Sequence, residues 1–354
     1  TGHFDAGRAA TARVLKSFGL GLAATPRRAL VSLIGQRCRL RLRGLRFRSR
    51  DQWTVAPYQI ARADACWATS IGLGIVDIVR AAEFQARSLI FALEIGDPFR
   101  VARSLALEAI HTSAGGNRTQ RRTSQLLRAA DALGEELEDP YVDAILTIAH
   151  GITCWLEGRF SRAYEQVLKA QQLFLDRCVG TTWERDTART YESFALINLG
   201  KFAELARVAP RYREEADSRG DLYASTNIGV YAIPHLLLIG NGDPDAASVA
   251  AEEAIRRWSE GFFHSQHMLA WISLVEVSLY RQDGPAAWKT VCSQWRDYER
   301  SLIPRVQHPR IQLLYSRGRA AVLAAEQSNE PEPYRREVRR CVRLLERERR
   351  NWSD

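Results

Sequence analysis

The sequence predicts an all-α fold, an α-α superhelix of about seven to eight stacked helix pairs. Three observations predict it. Gly74, Gly116, Gly158, Gly200, Gly242 and Gly284 recur at a constant interval of 42 residues, and glycine is suited to the left-handed turn that reverses a chain between two helices. Apolar residues on either side of these glycines recur at spacings of three and four, the period of one helix face. No segment alternates with the period of two, bounded by hairpin punctuation, that a strand requires. A fixed period of this length reads as a solenoid in which each pair buries its apolar stripe on its neighbours.

Taken in order, residues 1–52 read as an N-terminal partial repeat followed by an Arg-rich helical segment. Gly2-His3-Phe4-Asp5-Ala6-Gly7 resembles the opening of a second helix, like Gly158-Arg159-Phe160-Ser161-Arg162-Ala163. The chain opens at Thr1 and its one methionine is Met268, so a piece of a longer protein is expected. The repeat array is placed at 53–350, with pairs at 53–95, 97–137, 139–179, 181–221, 222–262, 263–303 and 305–349, and a tail at 351–354. In 140–157 the positions Val142, Ile145, Leu146, Ala149, Ile152 and Leu156 line one face. In 160–175 Phe160, Ala163, Val167, Ala170 and Phe174 do the same. Gly96-Asp97 and Gly220-Asp221 mark a helix stop followed by the cap of the next helix. The last pair has Glu326 where the phased glycine belongs.

Charge is unevenly placed. The net charge is +9, from 50 Lys+Arg and 41 Asp+Glu, and Pro26–Arg50 holds nine arginines and no acid. Elsewhere basic and acidic residues balance. Within the basic segment Arg37, Arg39, Arg41 and Arg43 alternate. As a strand they would share one face. As a helix, which the context favours, they spread round the surface and leave Leu30, Leu33, Ile34 and Leu45 to find the core. Such a segment suits an acidic partner, a phosphate-bearing ligand, nucleic acid or an anionic surface, unless carboxylates elsewhere in the array pair with it. Single-strand recognition would also want interleaved aromatics, and only Phe47 lies between Arg27 and Arg50.

Short helix pairs with the turn G-x-F-x-x-A, as in Gly200-Lys201-Phe202-Ala203-Glu204-Leu205, resemble tetratricopeptide-type repeats, though at 42 rather than 34 residues. Four stretches are similar to the C-terminal helical-repeat region of large bacterial serine/threonine kinases that carry an AAA/STAND-type ATPase module. They are Gly44-Leu-Arg-Phe-Arg-Ser-Arg-Asp51, Glu83-Phe-Gln-Ala-Arg87, Trp183-Glu-Arg-Asp-Thr-Ala-Arg189 and Gly220-Asp-Leu-Tyr-Ala-Ser-Thr-Asn227. The resemblance implies a sensor or scaffold arm of a signalling protein, contacting a protein partner or other domains of the parent. In such stacks the first helix of each pair lines the inner groove. By that likeness Trp183, Asp186 and Arg189, then Arg219, Tyr223 and Asn227, are candidate partner-binding residues. Asp186 and Arg189, three apart, are also placed to pair with each other, and Asp221 reads as a helix cap.

Catalysis by this chain is not expected. It lacks the H-R-D and D-F-G elements of a kinase, the G-x-x-x-x-G-K-[ST] phosphate loop, the G-x-S-x-G elbow and H-E-x-x-H. His264 and His267, one turn apart, would share a metal only if a third ligand converged, and hydrogen-bonded helix histidines are the plainer reading. His150 and His235 read as single histidines in apolar surroundings. No cofactor is implied. Six scattered cysteines without a C-x-x-C read as buried or free thiols of a reducing compartment, hence cytoplasmic. No membrane span is read in the chain. The leading function is a non-catalytic protein-contact or ligand-sensing array. The alternatives are a nucleic-acid or anionic-partner array using Arg27–Arg50, and a free-standing enzyme with a site in the groove.

Overall fold

The computed structural model describes residues 4–74, 76–258 and 261–349. The 351–354 tail and the opening Gly2-His3 lie outside them. Among the described residues every regular element is helical. The helices form two compact units. One comprises residues up to 153 with 168–185, the other 154–167 with 186 onward, so the division falls within three helices.

In the first unit α1 (Phe4–Ser17) and α2 (Pro26–Arg43) precede α3 (Pro57–Leu73), α4 (Ile78–Ile95), α5 (Pro98–Ser113) and α6 (Gln120–Leu137). Each of α3 to α6 packs on the next, and α2 lies along α4. Helix starts follow from caps. Thr25 accepts from the Arg28 amide at 3.3 Å ahead of Pro26, and Asp77 accepts from the Arg80 amide at 3.1 Å, each satisfying an orphan donor of the first turn. Phe84, Leu89, Ile90, Leu105 and Leu126 are fully buried. In α2, Leu33 and Leu40 reach the core and Leu30 is half-buried, as is Leu45 just beyond the helix, but Ile34 is not as expected: it faces solvent, 55% exposed.

The boundary helices are α7 (Pro140–Leu156), α8 (Phe160–Arg177) and α9 (Thr182–Asn198). The second unit continues with α10 (Phe202–Ser218), α11 (Leu222–Gly240), α12 (Pro244–Arg256), α13 (Ser265–Tyr280), α14 (Gly284–Ser293), α15 (Trp295–Arg300), α16 (Gln307–Glu326) and α17 (Glu332–Glu346). Here too neighbours pack in succession, α14 passing over short α15 to pack on α16. Leu196, Leu205, Ala209, Tyr212, Ile228, Ala232 and Leu236 form one core cluster.

Two departures from the expected pattern have physical causes. Gly116, Gly158, Gly200 and Gly242 are left-handed, but Gly74 is right-handed and Gly284 is the first residue of α14. Gln282 takes the left-handed turn instead, at φ 57°. Gly284 is required for another reason: a Cβ there would stand 2.6 Å from the Leu323 carbonyl oxygen of α16. The other concerns α11, which is long and apolar enough to cross a membrane by length and composition, against the reading of no such segment. It is 78% buried within the fold. Its interior Pro234 donates no amide to the Val230 carbonyl. The helix widens to π turns on either side, and the Ser273 hydroxyl donates to the Val230 oxygen at 2.9 Å.

Candidate functional site

The Arg-rich helix α2 spends much of its charge internally. Arg37 Nε lies 3.2 Å from Glu108 Oε1 of α5, and Arg39 Nη2 lies 2.8 Å from Glu94 Oε1 of α4. Arg43 donates to the carbonyls of Leu93 and Arg46 at 2.9 and 3.0 Å. Glu108 is buried, and burial raises its pKa although Arg37 opposes the shift. Arg41 is exposed and makes no ion pair among the described residues, as do Arg27 and Arg28. Beside them Val31, Ile34 and Leu42 are also exposed. The next segment is held close: the Arg50 amide donates to the Gly96 carbonyl at 2.9 Å. A Cβ on Gly96 would stand 2.3 Å from the Arg48 oxygen.

The residues expected to face a groove at the head of α9 are largely buried and spent on one another. Asp186 Oδ1 accepts from Arg189 at 3.2 Å, and Oδ2 from Arg219 at 2.7 Å. Arg189 also reaches Glu215 at 2.8 Å, with its guanidinium 4.5 Å from the Tyr212 ring centroid. The Tyr212 hydroxyl donates to Glu192 at 2.7 Å. Burial raises the Asp186 pKa, with Arg219 and Arg189 opposing. This network ties α9, α10 and the turn before α11 together. Trp183, one turn earlier, is half-buried.

Tyr223 and Asn227 open α11 behind Asp221, whose carboxylate accepts from the Ala224 amide at 3.1 Å. Both point into a buried polar patch. Asn227 Oδ1 accepts from Gln266 Nε2 at 2.8 Å, and Thr187 and Asn227 flank the Tyr223 hydroxyl without reaching good hydrogen-bond geometry. Around the patch runs an aromatic seam that the sequence reading missed. His308 stacks on Trp155 at 3.7 Å, and Trp155 meets Tyr191 and Phe194, each at 5.4 Å. Phe194 meets Tyr231 at 5.4 Å, and Tyr231 meets His235 at 4.2 Å. Gln312 donates to the Tyr231 hydroxyl at 2.6 Å. Every member lies on a first helix of a pair: α7, α9, α11 or α16. Part of the signal was present, since Trp155, Tyr191 and Tyr231 recur at intervals of 36 and 40 residues, close to one repeat.

The seam's histidines are poor acid–base groups at neutral pH. Burial pushes His308 down to about 3 and also lowers His235, whose Nδ1 sits 2.8 Å from the Tyr231 carbonyl oxygen. Nor do His264 and His267 converge on a metal. Trp258 Nε1 donates to His264 Nδ1 at 3.1 Å, and the His264 amide donates to His267 Nδ1 at 3.0 Å, capping α13. No group of three metal-ligating side chains occurs among the described residues. His150 is not in apolar surroundings: it is half-buried and 2.8 Å from Asp131.

Open depressions occur among the described residues. One, of about 660 Å³, is polar and lined by Ser49–Gln52 and Asp97–Arg100, where Arg100 is already held by Asp64 and Asp97. Another, of about 490 Å³, is largely apolar and lies between α16 and α17, with Leu279 and Gln282 at its edge. No protein-family model matches the chain, and no curated protein matches it.

Proposed function

We propose that this chain is a non-catalytic, tetratricopeptide-like array of helix pairs that holds a protein partner or senses a ligand. By the sequence resemblance it would do so within a larger bacterial signalling serine/threonine kinase with an ATPase module. The observation that supports this reading most is the succession of packed helices with left-handed glycines at 42-residue intervals from Gly116 to Gly242. Such a construction multiplies surface and grooves. The polar residues it buries at Asp186, Arg189 and Arg219 join helices to one another. The chain is expected to show almost purely helical circular dichroism and no nucleotide turnover. Magnesium-dependent ATP hydrolysis abolished by a point change within the array would overturn the proposal.

A second reading is favoured by the exposed arginines Arg27, Arg28 and Arg41: binding of nucleic acid or another anionic partner through Arg27–Arg50. It predicts binding of a DNA or RNA oligonucleotide that weakens steeply with salt and disappears when Arg27, Arg28 and Arg41 become glutamine. Absence of binding at low salt removes it.

A further inference from the structure

We propose that the outer face of α2 docks on an anionic lipid membrane surface. This deepens the second reading, binding of an anionic partner through Arg27–Arg50, and rests on it. Helix α2 has two apolar faces. Ala29, Leu33 and Leu40 are buried, and the helix packs along α4. Val31, Ile34, Cys38 and Leu42 recur at spacings of three and four, so they form one stripe. The helical period turns that stripe to the side opposite the buried residues. All four face solvent, with Val31, Ile34 and Leu42 71, 55 and 90% exposed. At 1.5 Å per residue the stripe is about 16 Å long, three helical turns. Single exposed apolar residues are ordinary, but a row aligned along one helix marks a contact surface.

Charge decides what the row contacts. Arg27 and Arg28 stand at its start and Arg41 beside its end. Arg46, Arg48 and Arg50 follow just beyond the helix. All six are exposed and make no ion pair among the described residues. No Asp or Glu occurs in 26–50 to offset them. The carboxylates that α2 meets on other helices are taken by other side chains. Arg39 pairs with Glu94, Arg37 with Glu108, and Ser32 and Arg87 hold Glu83. An apolar row bordered by free guanidiniums suits the plane of a membrane interface. Its apolar side chains enter among the acyl chains and its arginines meet the headgroup phosphates. A nucleic acid would answer the arginines and leave the apolar row in water. The row also lies on the outside of a single helix, a ridge that a deformable bilayer accepts without a matching groove.

The test is co-sedimentation of the whole chain with vesicles of phosphatidylcholine, with and without phosphatidylglycerol. Binding is expected only with the anionic lipid and should weaken as salt rises. Arg27→Gln/Arg28→Gln/Arg41→Gln should lower partitioning by about tenfold or more. Val31→Ser/Ile34→Ser/Leu42→Ser, which leaves the charge unchanged, should lower it several-fold. These six positions face solvent, and unchanged circular dichroism checks that the variants fold. In the parent chain, anionic vesicles should slow modification of Cys38 by a water-soluble thiol reagent, a readout that needs no variant. Equal binding to both vesicles, no slowing at Cys38, or full binding by the serine variant overturns the proposal. So does protection of Cys38 by raised protein concentration without lipid, which would make the occupant a second copy. An oligonucleotide bound through the arginines, with no vesicle binding, overturns it and leaves the second reading standing. If neither vesicle nor oligonucleotide binds at low salt, both fall.

Discussion

His308 shows how one buried group sets a pH dependence. Its imidazole is held neutral down to about 3 by burial against Trp155, while an unfolded histidine titrates near 6.5. Because the folded value is depressed, the stability associated with the neutral ring is fully present above about pH 6.5. It is lost as pH falls toward about 3, with a slope of up to about 1.4 kcal/mol per pH unit. Urea unfolding between about pH 7 and pH 4 should show this slope, and His308→Phe should make it shallower. Parallel curves would refute the assignment. His111, pushed down to about 3 by burial with Arg37 adding to the effect, contributes the same sign in the other unit. At Asp186 the opposite logic applies. Removing the carboxylate leaves Arg189 with Glu215 alone and Arg219, already partly in solvent, without its acidic partner, so Asp186→Ala should cost about 1–3 kcal/mol in denaturant unfolding. Adding Arg189→Met should recover part of that loss, because a buried guanidinium short of one partner is then gone.

At the scale of single elements, the turns and α11 make separate predictions. Gln282 holds a left-handed backbone that its side chain disfavours. Gln282→Gly should therefore raise stability by up to about 1 kcal/mol, measured by the shift in unfolding midpoint. Gly284→Ala should act in the other direction and more strongly, since the added methyl collides with backbone of α16 rather than with a movable side chain. In α11, Ser273→Ala would leave the Val230 carbonyl buried without its donor, at a cost of about 1–3 kcal/mol. An unfolding midpoint equal to that of the parent chain would show that the proline-opened carbonyl finds another donor. These elements were unequally legible beforehand. Helix ends at Gly158, Gly200 and Gly242 follow from local chain geometry, which sequence encodes directly. That Gly284 serves close helix approach instead depends on Leu323, 39 positions away, and no local pattern carries such a contact.

Across the molecule the thiols provide a check on both units at once. All six cysteines are free. Cys38 is exposed, Cys178 and Cys292 are half-buried, and Cys66, Cys154 and Cys341 are buried. Burial lifts Cys66 to about 12 and Cys341 to about 11. A thiol reagent at about pH 8 should modify Cys38 first, Cys178 and Cys292 more slowly, and the remaining three only on unfolding. Fast modification of Cys66 or Cys341 in the native protein would contradict the burial described. The helical character of the chain was determined by its sequence alone, because helix periodicity, caps and left-handed glycines are properties of neighbouring residues. The partners of the charged side chains were decided only by tertiary structure. The Arg37, Arg39, Arg41 and Arg43 run looks alike in one dimension, yet Glu108 and Glu94, more than 50 residues away, take up two of its members. Arg41 stays in solvent. Likewise Asp186 and Arg189 read as surface groups until α10 and the turn before α11 close over them. Whether a charge is free or spent depends on which helix packs beside it, and that is a long-range property of the fold.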